Sequence, residues 1–331
     1  MDLPPSSYHD YLEELWDEEE EPEEIETVMK VVPSTYHLYL YLFSKVKAEK
    51  LPPHCACDHH IELEGSLPSK SSSSTGAPVL FVKKKDGGLC LYVDFGKLNA
   101  VTRKNKHPFP PINQLLTVFN GSSIFSKIDL LRAYNLLRIK EGDEHLKCFR
   151  AKYGRYEYLV MPFALPNAPA SFQNLFNDIL YDIIDVYVVF YLDDIMVFPK
   201  SQEEHVTHLS TVLARLRANN LFSEASKCLF DVSSVEYLGY VFSSEGLKTN
   251  QEKVQKILNF QPSRNLEYLQ SYLGFADLYS CLIKNYSKRI SSLTMFLKKD
   301  SCFPFNEEAF RQFHQVKEAF TTAPILLYPL L

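Results

Sequence analysis

The pattern of apolar and polar positions changes once, clearly, along the chain. Between residues 77 and 245, short alternating or continuous apolar runs are bounded by Gly, Pro and polar clusters. These runs predict β-strands and hairpins, with two amphipathic helices among them. After Asn250 the apolar residues recur at helical spacing, which predicts a helical C-terminal part. Together the two regions predict an α+β fold with antiparallel strands.

Four segments predict individual elements. Residues 78–95 consist of a strand pattern, a Lys-Asp-Gly-Gly turn and a second strand pattern, which predicts a hairpin. A further hairpin is predicted over 148–161, with its turn at Gly154. A short strand is predicted to end on Asp129, and a helix is predicted to begin after Asn167 as its N-cap.

Two adjacent carboxylates interrupt the most apolar part of the chain. Asp193 and Asp194 separate two β-forming runs, 186–192 and 195–198. Placing paired negative charge between buried strands costs several kcal/mol unless it is compensated. In a tight hairpin these side chains lie at the tip, and Asp129 ends another strand. If the two strands are neighbours, three carboxylates converge at one edge of a sheet.

Three converging carboxylates repel one another and raise each other's pKa unless a cation is present. Hard oxygen donors favour Mg²⁺ or Mn²⁺, and two such ions can stabilise both the attacking and the leaving oxygen in phosphoryl transfer. The strand, Asp-Asp, strand pattern is therefore typical of a metal platform. The alternative is a polar hairpin tip that only turns in solvent, since adjacent Asp residues are common in turns.

Charge is divided unevenly along the chain. The net charge of the 331 residues is −6. Residues 1–30 carry 12 acidic side chains and one lysine, so the remaining chain has 29 acidic and 34 basic side chains. The chain therefore has an acidic tail, which we expect to be disordered or a loose helix, and a mildly basic remainder. Such a balance permits a polyanionic partner without requiring one.

The seven cysteines do not predict a disulfide framework. Their number is odd and the chain is long, which favours a reducing compartment. The cluster His54–His60, with sequence HCACDHH, contains metal-ligand residue types but has no second half at matching spacing. We interpret it as a solvated linker, with a zinc site as the alternative. No stretch predicts a membrane span or a signal peptide, so no membrane partner is expected.

Several segments together resemble the reverse transcriptases of gypsy-type LTR retrotransposons. The similarity runs from about Lys50 to Leu326 and is strongest in GAPVLFVKKKDGGL, VDFGKLNAVT, YEYLVMPFALPNAPASFQ, YLDDIMVF and VEYLGYV. The resemblance implies a right-hand polymerase fold of fingers, palm and thumb, with an antiparallel palm sheet. It also implies an RNA-directed DNA polymerase acting on an RNA template, a DNA primer and deoxynucleoside triphosphates. From family habit the localisation is expected to be cytoplasmic, nuclear or both.

The resemblance also assigns roles to individual residues. Asp129, Asp193 and Asp194 match the palm aspartates that hold Mg²⁺ or Mn²⁺, with Asp194 as the supporting member. At the nucleotide, Lys84 is expected to meet the triphosphate and Tyr134 to lie under the sugar, where it would exclude a 2′-hydroxyl. Phe163 is also expected near the nucleotide. Tyr237 and Gly239 are expected near the primer end, and Gln173 is expected near the template strand.

Four departures from the family pattern bear on activity. Cys90 stands where the family has an arginine that contacts the triphosphate, a loss of about 2–4 kcal/mol in transition-state stabilisation. Gly96 replaces a second arginine. Arg132 and Ala164 replace glycines, and a Cβ is unfavourable wherever φ is positive. Arg132 is not expected to compensate for Cys90, because a one-residue shift along a helix turns a side chain by about 100°.

The same comparison suggests a shortened approach to the fingers and a truncated or degenerate copy of a longer polyprotein. Four segments are predicted: an acidic tail (1–30), a linker (31–76), fingers and palm (77–245), and a helical thumb or connection (246–331). Two alternatives to an active polymerase remain open. One is a degenerate remnant that at most binds nucleic acid. The other is a two-metal nuclease, against which the lack of a second acidic set argues.

Overall fold

The structure of the protein is a computed structural model. It describes residues 22–64, 76–83, 89–105, 118–199, 201–262, 265–280, 283, 285–298 and 306–321. The chain forms two compact units. The first comprises residues 1–109, 126–197 and 203–230, and the second comprises residues 110–125, 198–202 and 231–331.

The described elements are numbered in chain order. The strands are β1 (Val79–Lys83), β2 (Leu89–Val93), β3 (Phe125–Asp129), β4 (Cys148–Ala151), β5 (Gly154–Glu157), β6 (Val188–Tyr191), β7 (Asp194–Val197), β8 (Leu229–Val232), β9 (Ser234–Tyr237), β10 (Tyr240–Ser243) and β11 (Gly246–Thr249). The α-helices are α1 (Pro22–Val31), α2 (Lys45–Glu49), α3 (Gly96–Val101), α4 (Ala168–Leu180), α5 (Gln202–Ala218), α6 (Gln251–Asn259), α7 (Leu266–Asp277), α8 (Tyr286–Arg289), α9 (Ser291–Met295) and α10 (Glu307–Thr321). Short 3₁₀ helices span Ser34–Phe43, Ala133–Leu136, Glu144–Lys147 and Ala225–Lys227.

A four-stranded sheet in the order β6-β7-β3-β8 carries the two predicted carboxylate strands. β7 pairs antiparallel with both β6 and β3. β6 and β7 are almost entirely buried apolar residues, as expected for strands covered on both faces. The sequence prediction that the strand ending on Asp129 neighbours the Asp-Asp hairpin is confirmed.

Helices α4 and α5 pack against this sheet because each has an apolar stripe. In α4, Phe172, Phe176 and Leu180 recur four residues apart and are fully buried. The Phe176 ring stacks on Phe190 of β6 at 4.1 Å between centroids. In α5, the apolar stripe of Leu209, Val212, Leu213 and Leu216 belongs to the same core.

Two antiparallel hairpins, β1–β2 and β4–β5, complete the sheets of the first unit. Both were predicted from the sequence. In the second hairpin Ala151 pairs with Gly154, so the turn lies at residues 152–153 and Gly154 begins the return strand. The expected turn position at Gly154 was therefore late by one to two residues.

The N-terminal part of the first unit contains structure that the sequence analysis did not predict. The 3₁₀ helix Ser34–Phe43 buries Tyr36, Leu40, Leu42 and Phe43 in the main core. Helix α1 covers the end of the acidic tail, for which a loose helix was one of the two expectations, and it extends to Val31. The division into four functional segments stays a prediction, but part of the segment interpreted as a linker packs into the core.

The second unit contains the three-stranded sheet β11-β10-β9 and the C-terminal helices. The Phe119 ring lies 4.4 Å from Phe242 and 4.7 Å from Phe198, so aromatic residues form the core beside the sheet. Among the helices, the rings of Tyr272 in α7 and Phe313 in α10 are 4.5 Å apart. The predicted helical C-terminal part is confirmed.

Candidate functional site

Asp129 and Asp194 lie directly opposite each other in adjacent strands. Asp129 is the last residue of β3, Asp194 is the first residue of β7, and the two form one antiparallel register pair. The backbone N–H of Leu130 donates to the carbonyl of Asp193 at 3.0 Å, which extends the pairing into the turn. Cross-strand partners project from the same face of a sheet, so both carboxylates share one face at the strand ends.

Asp193 occupies the two-residue turn between β6 and β7. Tyr191 pairs with Asp194 across this turn, which leaves Leu192 and Asp193 at its tip. Leu192 has φ 58°, a left-handed conformation that costs a non-glycine residue about 1 kcal/mol. Backbone strain of this kind persists where the surrounding structure enforces it, often at functional sites.

The three carboxylates influence one another electrostatically. Burial is the main cause that raises the pKa of both Asp129 and Asp194, and repulsion from Asp193 raises both further. Asp129 also raises the pKa of Asp194. We define the carboxylate edge as these three residues. It is a half-buried concentration of negative charge, as the strand pattern predicted.

Two lysines partly neutralise the carboxylate edge, and the sequence analysis missed both. The Lys127 ammonium lies 3.0 Å from Asp194 Oδ1, and the Lys227 ammonium lies 3.4 Å from Asp129 Oδ1. Each lysine lowers the pKa of its carboxylate, against the larger effect of burial. The alternation of β3 could have revealed Lys127, because a residue two positions before Asp129 projects from the same face.

The donor chemistry of the carboxylate edge fits a hard divalent cation. The edge offers carboxylate oxygens, which suit Mg²⁺ and Mn²⁺, and two ammonium groups already stand where positive charge is needed. Within the described residues, no group of three or more His, Cys, Asp or Glu side chains is gathered closely enough to hold a metal ion as it stands.

Two aromatic residues predicted at the nucleotide adjoin the carboxylate edge. Tyr134 is half-buried, and its ring packs edge-to-face against Phe163 at 5.3 Å. Burial raises the pKa of Tyr134, and the nearby Asp193 charge raises it further, which indicates that the phenol and this carboxylate are close. Phe163 is half exposed, so its ring offers apolar surface next to Tyr134.

Comparison with known proteins identifies the domain that this geometry belongs to. Residues 82–242 match the family described as reverse transcriptase (RNA-dependent DNA polymerase). The chain contains a reverse transcriptase domain. It is 37% identical over 264 residues to the transposon Tf2-3 and Tf2-4 polyproteins of Schizosaccharomyces pombe, which covers 80% of this chain and 20% of each relative. The chain thus spans about a fifth of these relatives, and the predicted membership among gypsy-type elements is confirmed.

Solved structures support the fold. The foamy viral protease-reverse transcriptase dRH in complex with double-stranded DNA matches with a TM-score of 0.74 at 20% identity, over 98% of this chain and 61% of that one. The foamy viral protease-reverse transcriptase in complex with an RNA/DNA hybrid matches with a TM-score of 0.70 at 20% identity, over 98% of this chain and 47% of that one. The predicted polymerase fold is therefore confirmed.

Two replacements in the reverse transcriptase domain place side chains on left-handed backbone. Arg132 has φ 53° and Ala164 has φ 74°, so both positions have the conformation that glycine adopts without strain. The Arg132 guanidinium donates to Glu49 Oε1 at 2.9 Å. This contact agrees with the expectation that Arg132 does not stand in for the arginine missing at Cys90.

Three predicted primer or template residues lie in cores or turns. Gln173 in α4 is 4% exposed and donates to Asn177 Oδ1 at 3.1 Å, so a template contact requires local opening. Tyr237 is buried against Phe119 in the second unit. Gly239 has φ 83° in the β9–β10 turn, where a Cβ would lie 2.7 Å from the Tyr279 hydroxyl. Their roles at nucleic acid stay predictions.

Two residues of the predicted triphosphate site are not placed. Lys84 lies outside the described residues, as does the side chain of Cys90, although the Cys90 backbone belongs to β2. Their roles stay predictions from the family resemblance.

The cysteine and histidine cluster does not form a metal site in the described part of the chain. His54 contacts Asp58, Cys57 Sγ lies 3.5 Å from Asp178 Oδ2, and His59 is buried with its Nδ1 2.8 Å from Ser171 Oγ. The described residues contain no group of three or more His, Cys, Asp or Glu side chains that could hold a metal ion. Also within the described residues, no helix has the length and apolar character needed to cross a bilayer.

The helix after Asn167 begins as predicted, but Asn167 does not cap it with its side chain. Its Nδ2 instead donates to the Arg103 carbonyl at 2.8 Å, and its Oδ1 accepts from the Asn105 N–H at 2.9 Å. Asn167 is therefore the N-cap residue as predicted, but its side chain holds a neighbouring loop and makes no capping hydrogen bond.

Proposed function

We propose that this chain catalyses RNA-directed DNA synthesis at the carboxylate edge, adding deoxynucleotides to a primer 3′-hydroxyl. The observation that supports this most strongly is the register pairing of Asp129 with Asp194, with Asp193 in the intervening turn. If the Asp193–Asp194 hairpin were only a solvent-exposed turn, there would be no reason for Asp129 to lie opposite it. The proposal extends the family membership to the chemistry of this chain.

Asp129 and Asp193 would hold the divalent cations, Mg²⁺ or Mn²⁺, with Asp194 in support. When bound, such ions lower the pKa of an attacking hydroxyl and stabilise charge on a leaving pyrophosphate. The residues of the chain supply position: the strand ends fix the carboxylates on one face, and the paired β-strands keep them there. Nucleotidyl transfer depends mainly on such positioning and charge stabilisation.

Tyr134 and Phe163 would form the floor under the sugar of the incoming deoxynucleoside triphosphate. The Tyr134 ring packs edge-to-face against Phe163 and lies 5.4 Å from the Phe172 ring of α4. These contacts would limit its movement and so help it exclude a 2′-hydroxyl. Nucleic-acid partners, an RNA template and a DNA primer, are part of the proposal; solved relatives of this fold are complexes with double-stranded DNA and an RNA/DNA hybrid.

A second candidate function is nucleic-acid binding without catalysis. It is favoured by Cys90, which cannot supply the planar charged donors of an arginine, and by the engagement of Arg132 with Glu49. Removal of one charged contact to a transferring phosphate typically costs about 10²–10³-fold in rate. A carboxylate edge without a triphosphate clamp would then leave nucleic-acid binding without effective catalysis.

Primer extension on an RNA template with Mg²⁺ tests the proposal. We expect measurable extension by the wild type, its loss in Asp193→Asn, and an increase of about tenfold or more in Cys90→Arg. Glu203→Gln, an exposed acid in the first turn of α5, is the control and should extend like the wild type. Extension in no variant, Cys90→Arg included, with template binding intact contradicts the proposed catalysis and favours the binding function.

A further inference from the structure

The two lysines at the carboxylate edge hold their carboxylates in different ways. Lys127 and Asp194 are 3.0 Å apart, with side chains 21% and 23% exposed. Lys227 and Asp129 are 3.4 Å apart, and the Lys227 side chain is 64% exposed. One ion pair is therefore short and mostly withdrawn from water, and the other is looser and open on the lysine side.

Strand geometry explains why the first pair is fixed. Lys127 is two residues before Asp129 on β3, so both project from the same face. Asp194 is the register partner of Asp129, and Lys127 reaches it diagonally. Lys127 itself is paired with Met196, which is fully buried on β7. The Lys127 ammonium thus lies on the same face of the sheet as Asp129 and Asp194.

Lys227 has no comparable support. It is the last residue of the short 3₁₀ helix Ala225–Lys227, and most of its side chain is in solvent. An exposed ion pair contributes little, because water and salt screen it and the lysine loses conformational freedom. Breaking a withdrawn pair leaves an uncompensated charge in a poorly hydrated place, which costs far more. A divalent cation entering the edge would displace Lys227 easily and Lys127 only at high cost.

We propose that Lys127 is a positioning residue that reserves Asp194 as its counter-charge, so that Asp129 and Asp193 hold the metal and Lys227 yields its place to it. The inference rests on the proposed function, since it concerns the cation that function requires. Lys127 would thus be the reason why the three carboxylates have unequal roles. It also makes Lys227 a removable substitute for the cation.

Double variants that replace both members of one ion pair with uncharged residues distinguish a carboxylate that binds the metal from one that only balances a lysine. Lys127→Met with Asp194→Asn removes one ion pair, and Lys227→Met with Asp129→Asn removes the other. Each double variant keeps the net charge, so a change in metal affinity does not arise from overall electrostatics. The measurement is the affinity of the full chain for Mn²⁺, by electron paramagnetic resonance or calorimetry, with circular dichroism to confirm folding.

We expect the first double variant to bind Mn²⁺ within about threefold of the wild type, and the second to lose about tenfold or more. Lys127→Met alone removes this counter-charge from Asp194 and should tighten Mn²⁺ binding by about tenfold. Lys127→Arg keeps the charge and should restore the wild-type affinity. A merely structural lysine would lower thermal stability in Lys127→Met without tightening Mn²⁺ binding, and that result overturns the inference.

Two outcomes distinguish this inference from the proposed function. Equal loss of Mn²⁺ affinity in both double variants shows that Asp194 is a ligand and overturns the inference, while the metal-dependent function stands. Unchanged affinity in both, or no Mn²⁺ binding by the wild type, removes the cation from this edge and overturns both. The expected affinity pattern without primer extension supports the inference and contradicts the catalytic proposal.

Discussion

Two regions of the first unit bury ionisable groups, but only one of them gives these groups partners of opposite charge. At the carboxylate edge, Asp129 and Asp194 each have a lysine ammonium within 3.4 Å. Near the 3₁₀ helix Glu144–Lys147, the Lys147 side chain is fully buried and its Nζ has no hydrogen-bond partner within the described residues. Burial lowers the pKa of Lys147 to about 7, with the charges of Asp143 and Glu144 opposing the shift.

The surroundings of Lys147 explain why it has no partner. Asp143 Oδ2 is already engaged by His60 Nδ1 at 2.7 Å and by the Ile61 N–H at 2.9 Å. His59, also buried, has its pKa lowered to about 3, first by burial and then by the Lys147 charge. His59 is therefore neutral near neutral pH, whereas Lys147 gives up its proton only as the pH rises through about 7. At the carboxylate edge, Asp129 and Asp194 instead each have a lysine ammonium beside them.

Backbone strain follows the same division. Leu192 and Ala164, which flank residues of the candidate site, have positive φ without being glycine, as does Arg132. Beside Lys147, the residue with positive φ is Gly142, at 95°, where no strain arises. Strain and compensated charge therefore coincide at the carboxylate edge. This is the expected signature of a site kept for function, and Lys147 has neither feature.

The largest expected effect is on catalysis at the carboxylate edge. Asp193→Asn removes a metal-holding carboxylate and should reduce primer extension on the order of a thousandfold, with little change in thermal stability. Lys147→Met should leave extension within about twofold, because Lys147 contacts none of the site residues described. The measurement is the rate of single-nucleotide incorporation. Equal losses of this rate in Asp193→Asn and Lys147→Met would show that the carboxylate edge is no more important for catalysis than the region of Lys147.

A large effect on stability is expected at Lys147. The unfolded lysine titrates near 10.5 and the folded one near 7, so between these values the unfolded chain binds more protons and folding stability rises with pH. Below pH 7 Lys147 is charged in the folded and the unfolded chain alike, so the destabilisation caused by its burial is at its maximum. Lys147→Met should therefore stabilise the first unit by about 2–4 kcal/mol at pH 7. It should also flatten the rise in stability between pH 7 and 10.5.

Chemical denaturation across this pH range measures both effects. Lys140→Met, at a lysine that is exposed in the same region, is the control and should change stability by less than about 0.5 kcal/mol. A Lys147→Met variant less stable than the wild type would show that the amine has a favourable partner in the protein, contrary to this comparison.

The smallest effect concerns strain. Ala164→Gly should raise the free energy of unfolding by about 1 kcal/mol, since it removes a Cβ from backbone at φ 74°. Ala133→Gly, in the buried 3₁₀ helix Ala133–Leu136, is the matched change on ordinary backbone and should lower it by about 1 kcal/mol. Urea titrations that show a stability gain for Ala164→Gly and a loss for Ala133→Gly would support backbone strain at Ala164. Equal destabilisation by the two substitutions would show that the backbone at Ala164 is not strained.

Much of the fold and the central carboxylates could be predicted because backbone patterns determine them. Two apolar strands interrupted only by Asp193 and Asp194 allow little but a tight hairpin, and a strand ending on Asp129 can pair with it. The family motifs then assigned both to one sheet. The 3₁₀ helix Ser34–Phe43 was missed because its Leu and Tyr residues alternate and follow no helical period.

Side-chain partnerships could not be predicted in the same way. The pairing of Lys127 with Asp194 depends on strand register, and the pairing of Lys227 with Asp129 depends on the path of a 3₁₀ helix. Asn167 resembles an N-cap in sequence, yet tertiary contacts direct its amide to a loop. Local sequence specifies which groups can form a bond, and the tertiary fold selects among them.

Crystals soaked with Mn²⁺ and a non-hydrolysable deoxynucleoside triphosphate test the central claim most directly. The account predicts an anomalous peak at coordination distance, about 2.0–2.2 Å, from carboxylate oxygens of Asp129 and Asp193, with Lys127 still on Asp194. A peak elsewhere in the protein, or none while Lys227 remains on Asp129, would contradict it.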